Sequence, residues 1–321
     1  MERKKYLDIA KGITLILVVW GHAGMGISSL GTAIIQFHMP LFFLVSGHFF
    51  KNTQEIICNR ILKKTKHLII PYFTFSIFYL LLEVAKSLVL HRSLDIMEFF
   101  SLLFYWNGNV VRLGVPIWFL PVLFFTEVLY MLIDKYAGRY STIICTALAI
   151  IAFVWMPVLP FGLRISCIGL LFFMIGNRSK ELFDYFESNR VLSLSIGIGL
   201  LVIEFILAQY NQGVNLYRYS FGVSWIRYVF LAIVGAFGVI CVGRGIATNR
   251  LLEWISKQSL FILSTHFVIL IVVNFVFDKI KLGWVKGVFV TIICFVSEYL
   301  AIAVIKRIKL FNTLDKILGI M

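Results

Sequence analysis

The sequence predicts an all-α integral membrane protein with about ten transmembrane helices and both termini cytoplasmic. Three observations carry that reading. Hydrophobic residues make up 60% of the 321-residue chain, charged residues only 14%, and the mean hydropathy is +0.92. A water-soluble domain is usually about 45–50% apolar and about 25% charged, so this excess has no aqueous core to hide in. The apolar residues come in runs close to the ~20 residues that a bilayer-crossing helix needs. The 30 Lys and Arg lie mostly between those runs, and far more of them fall on one side than on the other.

Taken in order, the runs are 7–26, 33–50, 68–90, 115–134, 140–157, 161–177, 191–210, 222–243, 256–277 and 284–305. The first follows MERKK and mimics a signal peptide. No A-x-A-like site follows promptly and Lys11 interrupts the apolar stretch, so a retained helix is expected. The run at 94–106, LDIMEFFSLLFYW, is shorter and holds Asp95 and Glu98, which suits an interfacial or re-entrant piece. Gly197/Gly199 and Gly235/Gly238 sit inside apolar runs, without the strand–turn–helix context of a nucleotide loop. Close helix packing is the expected role. No connecting segment is long enough for a second domain and no internal repeat is visible, so residues 1–321 read as one transmembrane domain.

Orientation follows from charge. With the N-terminus inside, Arg92, Arg112, Arg218, Lys279, Lys281 and Lys286 fall outside. Lys11, Lys86, Arg164 and Arg227 lie within spans, and the remaining twenty Lys and Arg are cytoplasmic. That asymmetry is the positive-inside pattern. It also accounts for the net charge of +14 without a basic patch for nucleic acid. The five cysteines (58, 145, 167, 241 and 294) are scattered and contain no C-x-x-C. They suit packing rather than a disulfide framework or a zinc site.

An ionisable residue inside a span costs roughly 2.5–3.5 kcal/mol on insertion scales, so each one is a candidate for function. Lys11 and His22 are eleven residues apart, which on an α-helix is about 16–17 Å of rise and about 20° of residual rotation. The two therefore share a face, with Asp8 beside Lys11. His22 is expected towards the outer leaflet, where His38 of the descending second span can face it. A polar interhelical hydrogen bond is the plainer role for either imidazole. His266 in SLFILSTHFV falls about mid-span, where packing and function are equally open. His48 and His67 lie near the cytoplasmic interface, where a solvated or snorkelling side chain is the default, and His91 is expected in a loop.

Glu83 and Lys86 make an i,i+3 pair that suits local neutralisation. Arg164 and Arg227 could pair with Glu83 or hold an acceptor's hydroxyls or anionic groups, and Glu127 and Glu298 could serve as counter-charges. The segment RILKKTKHLIIPY (60–72) collects Arg60, Lys63, Lys64 and Lys66. These suit either attraction to anionic lipid or a phosphate-binding collar.

These strings resemble a known family, the integral-membrane acyltransferase family 3, over nearly the whole chain. The resemblance lies in the Lys11–x10–His22 spacing within YLDIAKGITLILVVWGH and in FHMPLFFLVSGHFF (37–50). It continues in the basic segment ending at Pro71–Tyr72, in IWFLPVLF (117–124, with Trp118), and in SKQSLFILSTHF (256–267). Lys11 stands where many members carry Arg, and the soluble hydrolase-like domain that some members carry is not seen in this sequence.

The resemblance implies transfer of an acyl group to a hydroxyl of a cell-envelope carbohydrate, free or lipid-linked, at the bacterial inner membrane. Acetyl-CoA would be the donor, and no metal would take part. His22 is then the expected general base with His38 orienting it or sharing its proton, since a near-neutral imidazole suits deprotonation of a weakly nucleophilic hydroxyl. Lys11, Arg60, Lys63, Lys64 and Lys66 would hold donor phosphates by Coulomb attraction. Glu83, Arg164 and Arg227 would meet the acceptor. The competing expectations are a transporter or flippase of a glycan precursor and an O-succinyltransferase using another acyl-CoA. The lack of repeat symmetry between the halves weighs against the transporter.

Overall fold

Each apolar run forms a helix in the computed structural model, which describes residues 4–25, 28–51, 53, 55–91, 93, 95–104, 115–185, 189–277 and 285–307. Arg3, Arg92, Arg112, Lys279, Lys281, Lys309 and Lys316, which enter the charge asymmetry, lie outside the described residues, as do positions 94, 105 and 106 of the short apolar run. Fourteen α-helices occur among the described residues. Among the described residues nine helical stretches are long and apolar enough to cross a membrane, the fourth of them Pro116–Val154. That 39-residue stretch is divided at Gly138–Tyr140, where Gly138 takes a positive φ, into α6 (Phe119–Ala137) and α7 (Ser141–Val154). Each of the ten expected runs therefore has its helix.

The chain falls into two compact units. The first holds residues 1–50, 175–216 and 220–321, the second residues 51–174 and 217–219. In the first unit, α1 (Lys5–Trp20) and α2 (Ser29–Phe49) pack with α11 (Trp225–Ile246) around Leu7, Ala10, Leu41, Leu44, Ala236 and Val239. The helix α10 (Arg190–Ala208) lies against α11 at backbone distance. A Cβ on Gly197 would sit 2.7 Å from the Val242 nitrogen and 2.8 Å from the Gly238 carbonyl oxygen. Gly199, expected to share this role, has open space around it instead, because it points away from that interface.

Gly12 allows a second close approach. Its Cβ would fall on the Leu252 carbonyl of α12 (Arg250–Lys257), a short amphipathic helix that precedes α13 (Ser259–Phe277) and α14 (Val285–Arg307). Between α10 and α11 a two-strand hairpin, β1 (Val214–Asn215) with β2 (Ser220–Phe221), is pinned by Asn211. The Asn211 amide donates to the Gln36 side-chain oxygen at 3.1 Å, its own carbonyl oxygen accepts from the Gln36 amide at 2.9 Å, and its side-chain oxygen accepts from Val223 N–H at 2.9 Å.

In the second unit, α3 (Ile57–Lys64) runs through a π-helical turn at Thr65–Ile69 into α4 (Ile70–Val89), a continuous stretch of 33 residues. The sequence reading began this span at 68 because α3 is amphipathic and buries no residue, which average hydropathy does not register. The short α5 (Ile96–Phe104) follows, tied to α4 by the Tyr72 hydroxyl donating to the Leu103 carbonyl at 2.6 Å. The helices α6 and α8 (Leu163–Arg178) share the hydroxyls of Thr126 and Ser166. The first lies 3.1 Å from the Ser166 carbonyl and the second 3.1 Å from the Val122 carbonyl. The six-residue α9 (Lys180–Tyr185) belongs to the first unit.

Candidate functional site

The first unit gathers four of the six histidines, His22, His38, His48 and His266. At the end of α1 the α-helical turns give way to a π-helical turn, Gly21–Met25, which contains His22. Wider i→i+5 turns of this kind recur at functional sites because they re-aim side chains. The last step of the Lys11–His22 spacing therefore runs on a different period from the one that aligned them. His22 is exposed, although Ala23 beside it is buried, so its ring is accessible. That ring lies 5.5 Å from the ring of His266 on α13, centroid to centroid, and 5.9 Å edge-on from Phe267.

His266 is fully buried. Its Nδ1 lies 2.7 Å from the Ile262 carbonyl one turn back. A carbonyl oxygen only accepts, so in the neutral ring Nδ1 carries the proton and Nε2 keeps its lone pair. That Nε2 is buried without a hydrogen-bond partner among the described residues. His38 on α2 repeats the arrangement, with Nδ1 3.0 Å from the Ile34 carbonyl, and lies within electrostatic range of His22. Beside His266 on α13, the Thr265 hydroxyl meets the carboxyl of Glu298 from α14 at 2.8 and 3.0 Å, and Glu298 is fully buried. The exposed His22 thus has His266 beside it and His38 within electrostatic range, and the sequence neighbour of His266, Thr265, holds a buried acid.

At the other end of α1, Asp8 is buried, ion-paired with Lys11 at 3.3 Å, and accepts from the Ser256 hydroxyl at 2.9 Å. The Lys11 ammonium sits 5.9 Å over the ring of Phe49. His48 was expected to be solvated. It is only 4% exposed, because Tyr6 and Phe49 close on it edge-to-face at 6.5 and 5.7 Å. Arg244 was counted only among loop charges. The residue is 6% exposed, and its guanidinium stacks on Tyr6 at 4.2 Å with neither terminal nitrogen hydrogen-bonded among the described residues. Its position at the end of an apolar run disguised it as an ordinary flanking cation. Arg227 is exposed and donates to the Tyr210 carbonyl at 3.2 Å.

The second unit holds the basic segment and an aromatic patch. Arg60 donates to the Lys51 carbonyl at 2.9 Å, and Lys63 pairs with Glu55 at 2.6 Å. Lys64 lies 2.8 Å from the buried carboxyl of Glu127, a charge contact whose angles fall short of a hydrogen bond. Lys66, in the π-helical turn, is exposed and has no ion-pair partner among the described residues. Glu83 pairs with Lys86 at 3.3 Å, which is the local neutralisation. Arg164 does not pair with Glu83; its Nε donates to the Ala152 carbonyl at 2.8 Å, and its guanidinium lies 4.9 Å over the ring of Tyr219.

Trp118 is 8% exposed and meets Tyr217 at 5.7 Å between ring centroids. Burial raises both phenols, Tyr217 and Tyr219. Tyr219 is pushed up to about 12 even though the Arg164 cation pulls the other way, so both rings stay neutral at physiological pH. No group of three or more His, Cys, Asp or Glu placed to hold a metal ion occurs among the described residues.

The comparisons with known proteins converge on one result. No curated protein and no solved structure matches the chain. The model of the acyltransferase family 3 domain matches residues 4–304, which takes in both units, the three histidines and the basic segment. The chain belongs to acyltransferase family 3 and is a multi-pass membrane acyltransferase.

Proposed function

We propose that this protein is a membrane O-acyltransferase of the bacterial inner membrane. It moves an acetyl group from cytoplasmic acetyl-CoA to a hydroxyl of a cell-envelope carbohydrate, and both of its termini are cytoplasmic. The observation that carries the reading is the accessible His22 ring 5.5 Å from His266, with His38 within electrostatic range. His22 takes the proton of the acceptor hydroxyl as its oxygen attacks the thioester carbonyl. The carbon–sulfur bond breaks, and the proton passes to the departing thiolate, giving the ester and free CoA. His38 and His266, each held through Nδ1 by its own helix backbone, fix where the His22 ring sits.

The cations offered to donor phosphates are Lys11 in the first unit and, separately, Arg60 and Lys66 in the second. The aromatic patch of Trp118, Tyr217 and Tyr219 with Arg164 offers stacking faces and a cation for a sugar. Transfer of labelled acetyl from acetyl-CoA to envelope glycan, measured with wild-type and His22→Ala protein at equal membrane abundance, tests the reading. A loss of about 10²–10⁴-fold is expected for removal of a general base. Wild-type transfer by His22→Ala overturns the role of His22. Transfer of succinyl in preference to acetyl corrects the donor.

A further inference from the structure

Glu204 is the one carboxyl in α10, and it is 1% exposed. Its Oε1 is buried without a hydrogen-bond partner among the described residues. It lines an open groove of about 270 Å³ formed within the first unit by α1, α2, α10 and α11. The remaining lining is apolar. Leu30 and Phe205, themselves partly exposed, rim one end, and Ile13 and Val242 close the other. Glu204 lies four residues from the end of α10, and so towards one membrane surface rather than mid-bilayer.

A purely structural groove between helices would be filled by side chains, and a purely structural carboxyl would find a partner. Here the chain leaves both the space and an acceptor open. The volume falls just under the usual range for small-molecule sites, so it holds part of one hydrocarbon chain rather than a two-chain lipid. The bilayer itself supplies hydrocarbon. A phospholipid tail, however, carries no O–H donor at the depth of its methylenes and would leave Oε1 unsatisfied in an apolar surround.

We propose that this groove is a binding site for a single-chain lipid bearing a hydroxyl, its hydrocarbon lying along Leu17, Ile34 and Leu201 and its hydroxyl donating to Glu204. An ionised carboxyl accepts from that hydroxyl, and a protonated one still offers an acceptor oxygen, so recognition survives either state. The inference concerns binding alone and stands whichever donor and acceptor the acyl transfer uses.

The test uses the full-length protein in nanodiscs with a diazirine-bearing hexadecanol and, separately, its methyl ether, which matches it in hydrocarbon and lacks the donor. Cross-links are mapped by mass spectrometry. The alcohol is expected to label groove residues at least fivefold more than the ether. Glu204→Gln, which keeps an acceptor oxygen, retains that preference. Glu204→Leu brings the two probes level, and Ala33→Phe, which fills the groove, loses both signals. Equal labelling of wild-type protein by the two probes, or labels confined to residues outside the groove, overturns the proposal. Acyl transfer measured in parallel reports separately on the catalytic reading, and it stays intact in Glu204→Leu if the site is distinct from the chemistry.

Discussion

Lys64 and Lys66 are two residues apart in the same basic segment, yet their surroundings assign them different consequences on substitution. The Lys64 side chain is 43% exposed and faces a Glu127 carboxyl that is 7% exposed at 2.8 Å. Lys64→Ala leaves that carboxyl without its counter-charge. Solvent screening tempers the loss at so open a lysine, and about 1–3 kcal/mol of stability is expected to go. Lys66→Ala removes an exposed cation that pairs with no described residue, so thermal stability holds while the KM for acetyl-CoA rises if the residue meets donor phosphate. Thermal melts and donor titrations on the two variants check both outcomes. Equal melting temperatures would remove the structural role given to Lys64. An unchanged KM in Lys66→Ala would return the segment to lipid attraction and orientation. Sequence reading found the four cations together because residue type is printed in the chain. It could not separate them, since partner choice depends on Glu55 and Glu127, which only the fold brings close. Arg244 and His48 were hidden for the same reason. Their burial is decided by Tyr6, more than forty residues from His48 and far further from Arg244.

Helices that cross a bilayer announce themselves by composition, and each of the ten expected runs coincides with a helix. What escaped is what hydropathy averages away. The amphipathic α3 and α12, the two-residue strands, and the π-helical turns at Gly21–Met25 and Thr65–Ile69 leave no apolar excess. A π-helical turn has no composition of its own, so its placement at His22 and again at Lys66 is visible only in the folded chain. Close packing was partly legible. Glycines in apolar runs point to tight helix pairs in a solvent that gives no hydrophobic force between helices. Which face they occupy is a matter of register. Gly197 lies on the α11 side and Gly199 does not, which yields a paired prediction. Gly197→Leu drives a side chain into the backbone of Gly238 and Val242 and is expected to cost about 1–3 kcal/mol as overpacking. Gly199→Leu, with nothing within 4 Å of its Cβ, is expected to melt like the parent. Detergent-solubilised melting curves of the two variants decide it, and a similar loss in both would place the α10–α11 contact elsewhere.

For the molecule as a whole, the reading that the fold leaves to experiment is its direction through the membrane. Twenty Lys and Arg against six give the expectation that both termini lie inside, since each cation biases its loop towards the cytoplasm. The structure supplies a reporter that needs no engineering. Cys58 in the first turn of α3 is exposed, whereas Cys145, Cys167, Cys241 and Cys294 are buried. A membrane-impermeant maleimide therefore meets one thiol, at the start of the helical stretch that carries Arg60, Lys63, Lys64 and Lys66. With the termini inside, Cys58 is labelled in inverted vesicles and protected in intact spheroplasts, and Cys58→Ser abolishes the signal in both. The same measurement bears on chemistry, because a nucleotide-bearing donor is made in the cytoplasm and its basic contacts have to face it. Labelling of Cys58 from outside would turn the segment away from the donor. It would sink the orientation and, with it, the role of Arg60 and Lys66 in holding acetyl-CoA, while leaving His22 and its neighbours as they stand.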